Sequence, residues 1–190
     1  MSERGRVRVY VACSFDGFIA GKGDDLTWLP GPGDSQPEAG SAEVGGSLAL
    51  GFDDFMEDVG ALLIGRRTYD VVAGFEGDWP YGERPVFVAT HRALAPKVRT
   101  VLSLNGTIEA MIHTARSAAG GKDLYLDGGN LIRQALDAGL VDDLVVTMVP
   151  ILLGEGLPLF AGVEGRHSLE LVEHHDYGEN LMQVHLRPVR

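Results

Sequence analysis

The order of apolar runs constrains this chain more than any single motif. Up to residue 139, short β-branched or apolar runs alternate with segments whose apolar residues recur at helical spacing; beyond it, only strand-like runs follow. Val7–Ser14, Ala61–Ile64, Pro85–Thr90, Val98–Leu102 and Leu124–Leu126 read as strands. Ser47–Val59, a segment beginning at Thr68–Val72, Asn105–Ala119 and Leu131–Asp137 read as helices. In the first of these, Leu48, Phe52, Phe55, Met56 and Val59 share one face and Ser47 is the N-cap. Gly120-Gly121 and Gly139 stop the later helices. Leu144–Leu153 is the most apolar run and reads as a core strand with Pro150 at a bend. Leu169–His175 and Leu181–Leu186 alternate as an antiparallel pair around Tyr177-Gly178. Strand–helix alternation implies parallel strands, because each helical crossover returns the chain to the same end of the sheet. The expectation is one α/β domain over residues 1–190, with a mainly parallel sheet, helices on both faces and antiparallel C-terminal strands.

Charge and cysteine content remove several functions. There are 27 acidic residues against 16 Lys+Arg, a net charge of −11. Such a surface repels nucleic acid and anionic membranes, but a local cluster of donors can still hold a small anion. The single cysteine, Cys13, cannot form an internal disulfide or a multi-thiolate zinc site, and its apolar run predicts a small buried side chain. No apolar stretch reaches about 18 residues and the start of the chain is charged, so neither a membrane span nor a signal peptide is expected, and the cytoplasm is the default compartment.

The 26 glycines exceed the usual share of about 7%. Seven of them, with three prolines, lie in residues 21–46, a loop too long for an ordinary connector. Trp28 lies in it, either anchoring the loop or touching a ligand. Other glycines mark strand-to-helix junctions. Ile64-Gly65-Arg66-Arg67-Thr68 runs from a strand into a helix start, where free amides, the Thr68 hydroxyl and two guanidinium groups suit phosphate oxygens. Leu126-Asp127-Gly128-Gly129-Asn130 is a second such junction, and Thr90-His91-Arg92 closes a third strand. Strand ends of an open α/β sheet form the ligand crevice, so these three sequences predict one anion-binding cleft. The Rossmann G-x-G-x-x-G, the P-loop, the G-x-S-x-G elbow and H-E-x-x-H do not occur. His174 and His175 are adjacent, so on a strand they face opposite ways and do not share a metal.

At these junctions the sequence resembles the dihydrofolate reductase-like superfamily. It is more closely similar to stand-alone proteins like the C-terminal reductase domain of the bifunctional riboflavin-biosynthesis deaminase–reductase. The resemblance is carried by Ser14-Phe15-Asp16-Gly17-Phe18-Ile19-Ala20, Leu63 through Tyr69, Leu126 through Leu131, and Ala138 through Leu144 continuing to Pro150–Phe160. It implies the three-layer fold of that superfamily and an NADPH-dependent reductase acting on a small conjugated heterocycle, like 5-amino-6-(5-phosphoribosylamino)uracil reductase or dihydrofolate reductase. A protein that binds the cofactor without turnover is the alternative. By resemblance Gly65, Arg66, Arg67 and Thr68 hold the pyrophosphate and adenosine side, and Thr90, His91 and Arg92 lie near the 2′-phosphate. Asp127, Gly128, Gly129 and Asn130 line the cofactor cleft around a cis peptide, Ala12, Ile19 and Ala20 border the nicotinamide, and Trp28 covers the substrate. Asp16 and Asp127 are the candidate proton donors. Asp53 and Asp54 occupy the helix that carries the pterin-binding acid in dihydrofolate reductase, but both fall off its apolar face, so a solvated position is expected. The zinc deaminase signature is absent. The apolar run 144–153 and the terminal strands further predict a homodimer.

Overall fold

The computed structural model describes residues 5–29, 49–178 and 180–190, with the side chains of residues 177 and 178 left out. Its main sheet has eight strands in the order β5-β4-β3-β6-β1-β7-β10-β9. They are β1 (Val7–Ser14), β3 (Val59–Gly65), β4 (Val86–Ala89), β5 (Val101–Leu104), β6 (Asp123–Asp127), β7 (Asp143–Val149), β9 (Leu169–Gly178) and β10 (Leu181–Pro188). All neighbouring pairs from β5 to β7 are parallel, and β10 and β9 pair antiparallel at one edge. A two-stranded ribbon, β2 (Phe18–Gly21) with β8 (Gly156–Pro158), lies beside it.

Burial on both faces explains why the parallel strands read as continuous apolar runs. In β3, Ala61 and Leu63 join one core, and Leu62 and Ile64 join the other. In β6, Leu124 and Leu126 face the first core and Tyr125 the second. Helices α3 (Ile108–Ala118) and α4 (Gly129–Asp137) cover the first face through Ile108, Ile112, Ala115, Ile132 and Ala135. Helices α1 (Phe52–Glu57) and α2 (Arg66–Gly74) cover the second through Phe55, Met56, Tyr69 and Val72. Cys13 is buried in the first core, as its sequence context predicts, and burial pushes its thiol pKa up, which keeps it protonated and inert.

Several expected boundaries move. The helix expected over 47–59 spans only Phe52–Glu57: Gly51 is extended, and Val59 already belongs to β3. Its expected N-cap, Ser47, lies outside the described residues, as do residues 30–46 of the Gly/Pro-rich loop. The expected strand 98–102 forms at Val101–Leu104, and the following helix starts after Thr107, whose hydroxyl caps it. The apolar run 144–153 stops being strand at Val149, before Pro150. The β2–β8 ribbon was not expected.

Candidate functional site

The carboxyl ends of the parallel strands sit side by side. Ile64 of β3 is in register with Asp127 of β6, and Gly65 with Ala89 of β4. The expected convergence of the three strand ends is therefore met. Two helices begin directly at these ends, and neither start is capped by a side chain: Gly65 precedes α2 and Gly128 precedes α4. At α3, by contrast, Thr107 Oγ1 accepts from the Ala110 amide. Uncapped helix starts leave amide N–H groups and the positive end of the helix dipole facing outward. Gly128 has φ +104, which a side chain rarely adopts, and a methyl group there would lie 3.2 Å from both the Gly65 nitrogen and Thr68 Oγ1. Glycine thus lets the two junctions touch backbone to backbone. Among the described residues every peptide is trans, so the cis bond expected in this turn is not there; the left-sided φ of Gly128 makes the sharp bend instead.

A cleft of about 360 Å³ opens between the two helix starts and β4. Gly65, Arg66, Arg67, Thr68, Thr90, His91, Gly128, Gly129 and Asn130, all anticipated from sequence, line it. Arg92 does not; its side chain is 73% exposed and reaches toward Asp70 at 3.8 Å. Arg66 is partly committed within the protein, donating from Nε to Asp70 at 2.8 Å and from Nη1 to the Ala93 carbonyl at 3.0 Å. Arg67 pairs with Asp24 of the segment after β2.

A second cleft of about 270 Å³ adjoins the first, sharing Arg67, Thr68 and Leu157 with it. Ala12, Ile19, Ala20 and Asp127, also anticipated, line this one. Its other walls are mainly apolar, with Tyr10, Leu29, Val71, Val72 and Phe75. Burial pushes the Asp127 carboxyl up to about 6, against the opposing pull of the hydrogen bond from the Gly128 amide at 2.6 Å. A carboxyl with that pKa carries a proton part of the time near neutral pH.

The two other acid candidates and the tryptophan have different surroundings. Asp16 accepts from Ser14 Oγ at 2.6 Å and from the Leu153 and Gly154 amides, and these bonds hold its pKa below the usual carboxylate range. It lines neither cleft and clamps the loop after β7 to the turn before β2. Asp53 and Asp54 are exposed and line neither cleft, as expected. Trp28 anchors its loop: its indole nitrogen donates to the Asp25 carbonyl at 3.0 Å, and it packs against Ala49, Val149 and Leu181. Leu26 and Leu29 of that loop line the second cleft in its place.

Sequence reasoning also missed Asn105 and Gly106 in the first cleft and Leu157 between the two. Asn105 and Gly106 follow β5, whose end was misplaced by two residues. Leu157 sits on β8, a three-residue strand without a detectable pattern. Among the described residues no group of three or more potential metal ligands occurs. No helix of the described residues is long and apolar enough to cross a membrane.

Comparison with known proteins agrees with this geometry. A putative riboflavin biosynthesis protein from Shewanella sp. PV-4 superimposes with a TM-score of 0.79 at 34% identity, covering 97% of this chain and 99% of that one. A dihydrofolate reductase from Enterococcus faecalis, solved in complex with NADP(H) and RAB-propyl, superimposes with a TM-score of 0.62 at 17% identity over the whole of both chains, which shows a shared fold. The uncharacterized protein YyaP of Bacillus subtilis is 26% identical over 190 residues, spanning 94% of this chain and 93% of that protein. The family model of the RibD C-terminal domain matches residues 6–183. The chain belongs to the RibD C-terminal domain family and has the dihydrofolate reductase-like fold that its strand order, helix placement and strand-end clefts describe.

Proposed function

We infer that this protein is an NADPH-dependent reductase of a small conjugated heterocycle. The observation that carries the reading is the joined pair of clefts. One, the more polar of the two, is built on two uncapped helix starts; the other is mainly apolar and ends on a carboxyl with a raised pKa; Arg67, Thr68 and Leu157 lie between them. The cradle formed by Gly65 and Gly128 suits the cofactor's pyrophosphate. It keeps side chains away from the amides of two helix N-termini and sets the Thr68 hydroxyl and Arg67 guanidinium beside them. His91 and Thr90 lie along the same cleft, in reach of the more distant phosphate of such a cofactor.

NADPH, when bound, supplies the hydride; the protein supplies orientation and a proton. The apolar walls of the second cleft exclude water and hold a flat acceptor against Ala12, Ile19 and Ala20. Asp127 carries the proton that balances hydride addition, giving it from its carboxyl oxygen to a ring atom of the acceptor and recovering it from solvent. Asp127 is in its acid form below about pH 6, so turnover falls with pH above that value. The test is NADPH consumption over a panel of conjugated nitrogen heterocycles, with Asp127→Asn in parallel. Turnover that falls above about pH 6 and is lost in the variant supports the reading. NADPH binding without any turnover would replace it with the cofactor-binding alternative.

The same reading includes a homodimer. β9 is the sheet's edge strand, and Leu169, Leu171 and Val172 on it are exposed, as is Met182 on β10. Unpaired apolar edges favour association. Light scattering at tens of micromolar checks this, and a monomeric mass rejects it.

A further inference from the structure

The walls of the second cleft point to a more specific substrate class. Resting on the reductase reading, we propose that this cleft takes an uncharged, flat, largely apolar ring compound and excludes a phosphorylated sugar substituent. In that respect it departs from the phosphoribosyl substrate that the family resemblance first suggests.

The cleft's charges settle the matter. Among the described residues its lining contains three side chains that can carry charge near neutral pH, Asp24, Arg67 and Asp127. Arg67, the cation among them, is paired with Asp24. The remaining group is an acid, so the lining is neutral when Asp127 is protonated and carries one negative charge when it is not. A phosphate dianion entering here meets no uncompensated positive charge among the described residues and loses its hydration.

The polar atoms on the walls are also turned inward. The Tyr10 hydroxyl donates to the Leu50 carbonyl at 2.9 Å, and the Tyr125 hydroxyl donates to the Tyr10 carbonyl at 2.9 Å. Each hydroxyl has one proton, and both are used within the protein. What the two tyrosines give the cleft is ring surface. Leu29, Val71, Val72 and Phe75 complete an apolar wall, with Phe75 53% exposed although its ring borders the cleft. An exposed phenylalanine against an apolar, half-open cleft suits a flat apolar face laid against it. The phosphate-binding donors of the molecule lie on the other side of Thr68, in the cleft assigned to the cofactor.

Equilibrium binding by calorimetry with three probes tests the proposal. They are quinoxaline, 5-amino-6-(5-phosphoribosylamino)uracil and the dephosphorylated form of that uracil. NADPH is titrated separately into the same samples. Quinoxaline is expected to bind at least about tenfold more tightly than the phosphoribosyl compound, and removing the phosphate is expected to tighten the uracil about threefold or more. Val71→Arg, which sets a free cation on the wall, is expected to weaken quinoxaline and strengthen the phosphoribosyl compound. Tighter binding of the phosphoribosyl compound to the unmodified protein overturns the proposal, as does the absence of quinoxaline binding at millimolar concentration. Quinoxaline binding with no NADPH binding supports this proposal and overturns the reductase reading. NADPH binding with a preference for the phosphorylated probe does the reverse.

Discussion

The two ends of the sheet handle charge in opposite ways. At the amino ends of the parallel strands, charged groups bind one another. Asp143 is fully buried and receives Arg6 at 2.9 Å, His185 at 3.0 Å and Arg187 at 3.4 Å. Asp123 takes Arg6 and Arg8, and Asp142 takes Arg116 and Arg190. At the carboxyl ends, amide groups of two helix starts lack side-chain caps, and glycines keep the surface bare. One end pairs its charges with one another, and the other presents uncapped amide donors to a cleft. The difference marks where the fold spends polar groups on stability and where it leaves them open to a cleft.

Substitution at each end should separate these roles. Asp143→Ala removes the acceptor shared by Arg6, His185 and Arg187 and is expected to cost about 2–3 kcal/mol. That is less than for a wholly buried pair, because Arg6 and Arg187 are half-exposed and can turn to water. Urea unfolding reads this loss, and NADPH affinity should stay within about twofold. A large loss of NADPH affinity in this variant would mean that the two ends are not separate.

Acid should reach the same group. The surrounding cations and hydrogen bonds hold Asp143 at about 2, below its ordinary value of 3.8. A carboxyl whose pKa is lowered by folding contributes stability above its unfolded pKa and loses it as pH falls toward the folded one. Stability is therefore expected to fall between about pH 4 and pH 2, with on the order of 2 kcal/mol of the fall due to Asp143 and missing in Asp143→Asn. Asp127 has the opposite sign. Its pKa is raised to about 6, so its buried ionised form lowers stability as pH rises from about 4 to 6.

At the carboxyl end, Arg67→Ala is expected to weaken NADPH about tenfold while changing unfolding free energy by less than about 0.5 kcal/mol, since its ion pair with Asp24 is half-exposed. Asp70→Asn gives the smallest effect. Asp70 holds Arg66 and draws Arg92, so its neutralisation is expected to strengthen NADPH by about two- to threefold and leave NADH unchanged. Equal gains for both cofactors would place Asp70 away from the 2′-phosphate.

Much of this was legible in sequence where physics is local. β3 and β6 are buried on both faces, so their apolar runs stand out, and Gly65 and Gly128-Gly129 mark the junctions directly. Helical periodicity misled at the C-terminal end of α1, because Val59 continues the helical pattern while pairing as a strand with Asp123. Long-range pairings left no local trace. The capture of Arg67 by Asp24, the use of Asp16 to clamp residues 153 and 154, and the placement of Leu157 between the clefts depend on segments distant in sequence. Trp28 carried the strongest local signal in its loop, yet the apolar patch under it, from Ala49, Val149 and Leu181, made it an anchor.

The most direct test of the contrast between the two ends is a calorimetric titration of NADPH into the unmodified protein at low and at moderate salt. The uncapped helix starts and Arg67 predict saturable binding of one NADPH per chain that weakens as salt rises. No binding at millimolar NADPH, or binding indifferent to salt and to Arg67→Ala, would contradict the assignment of the carboxyl end as the ligand-holding end.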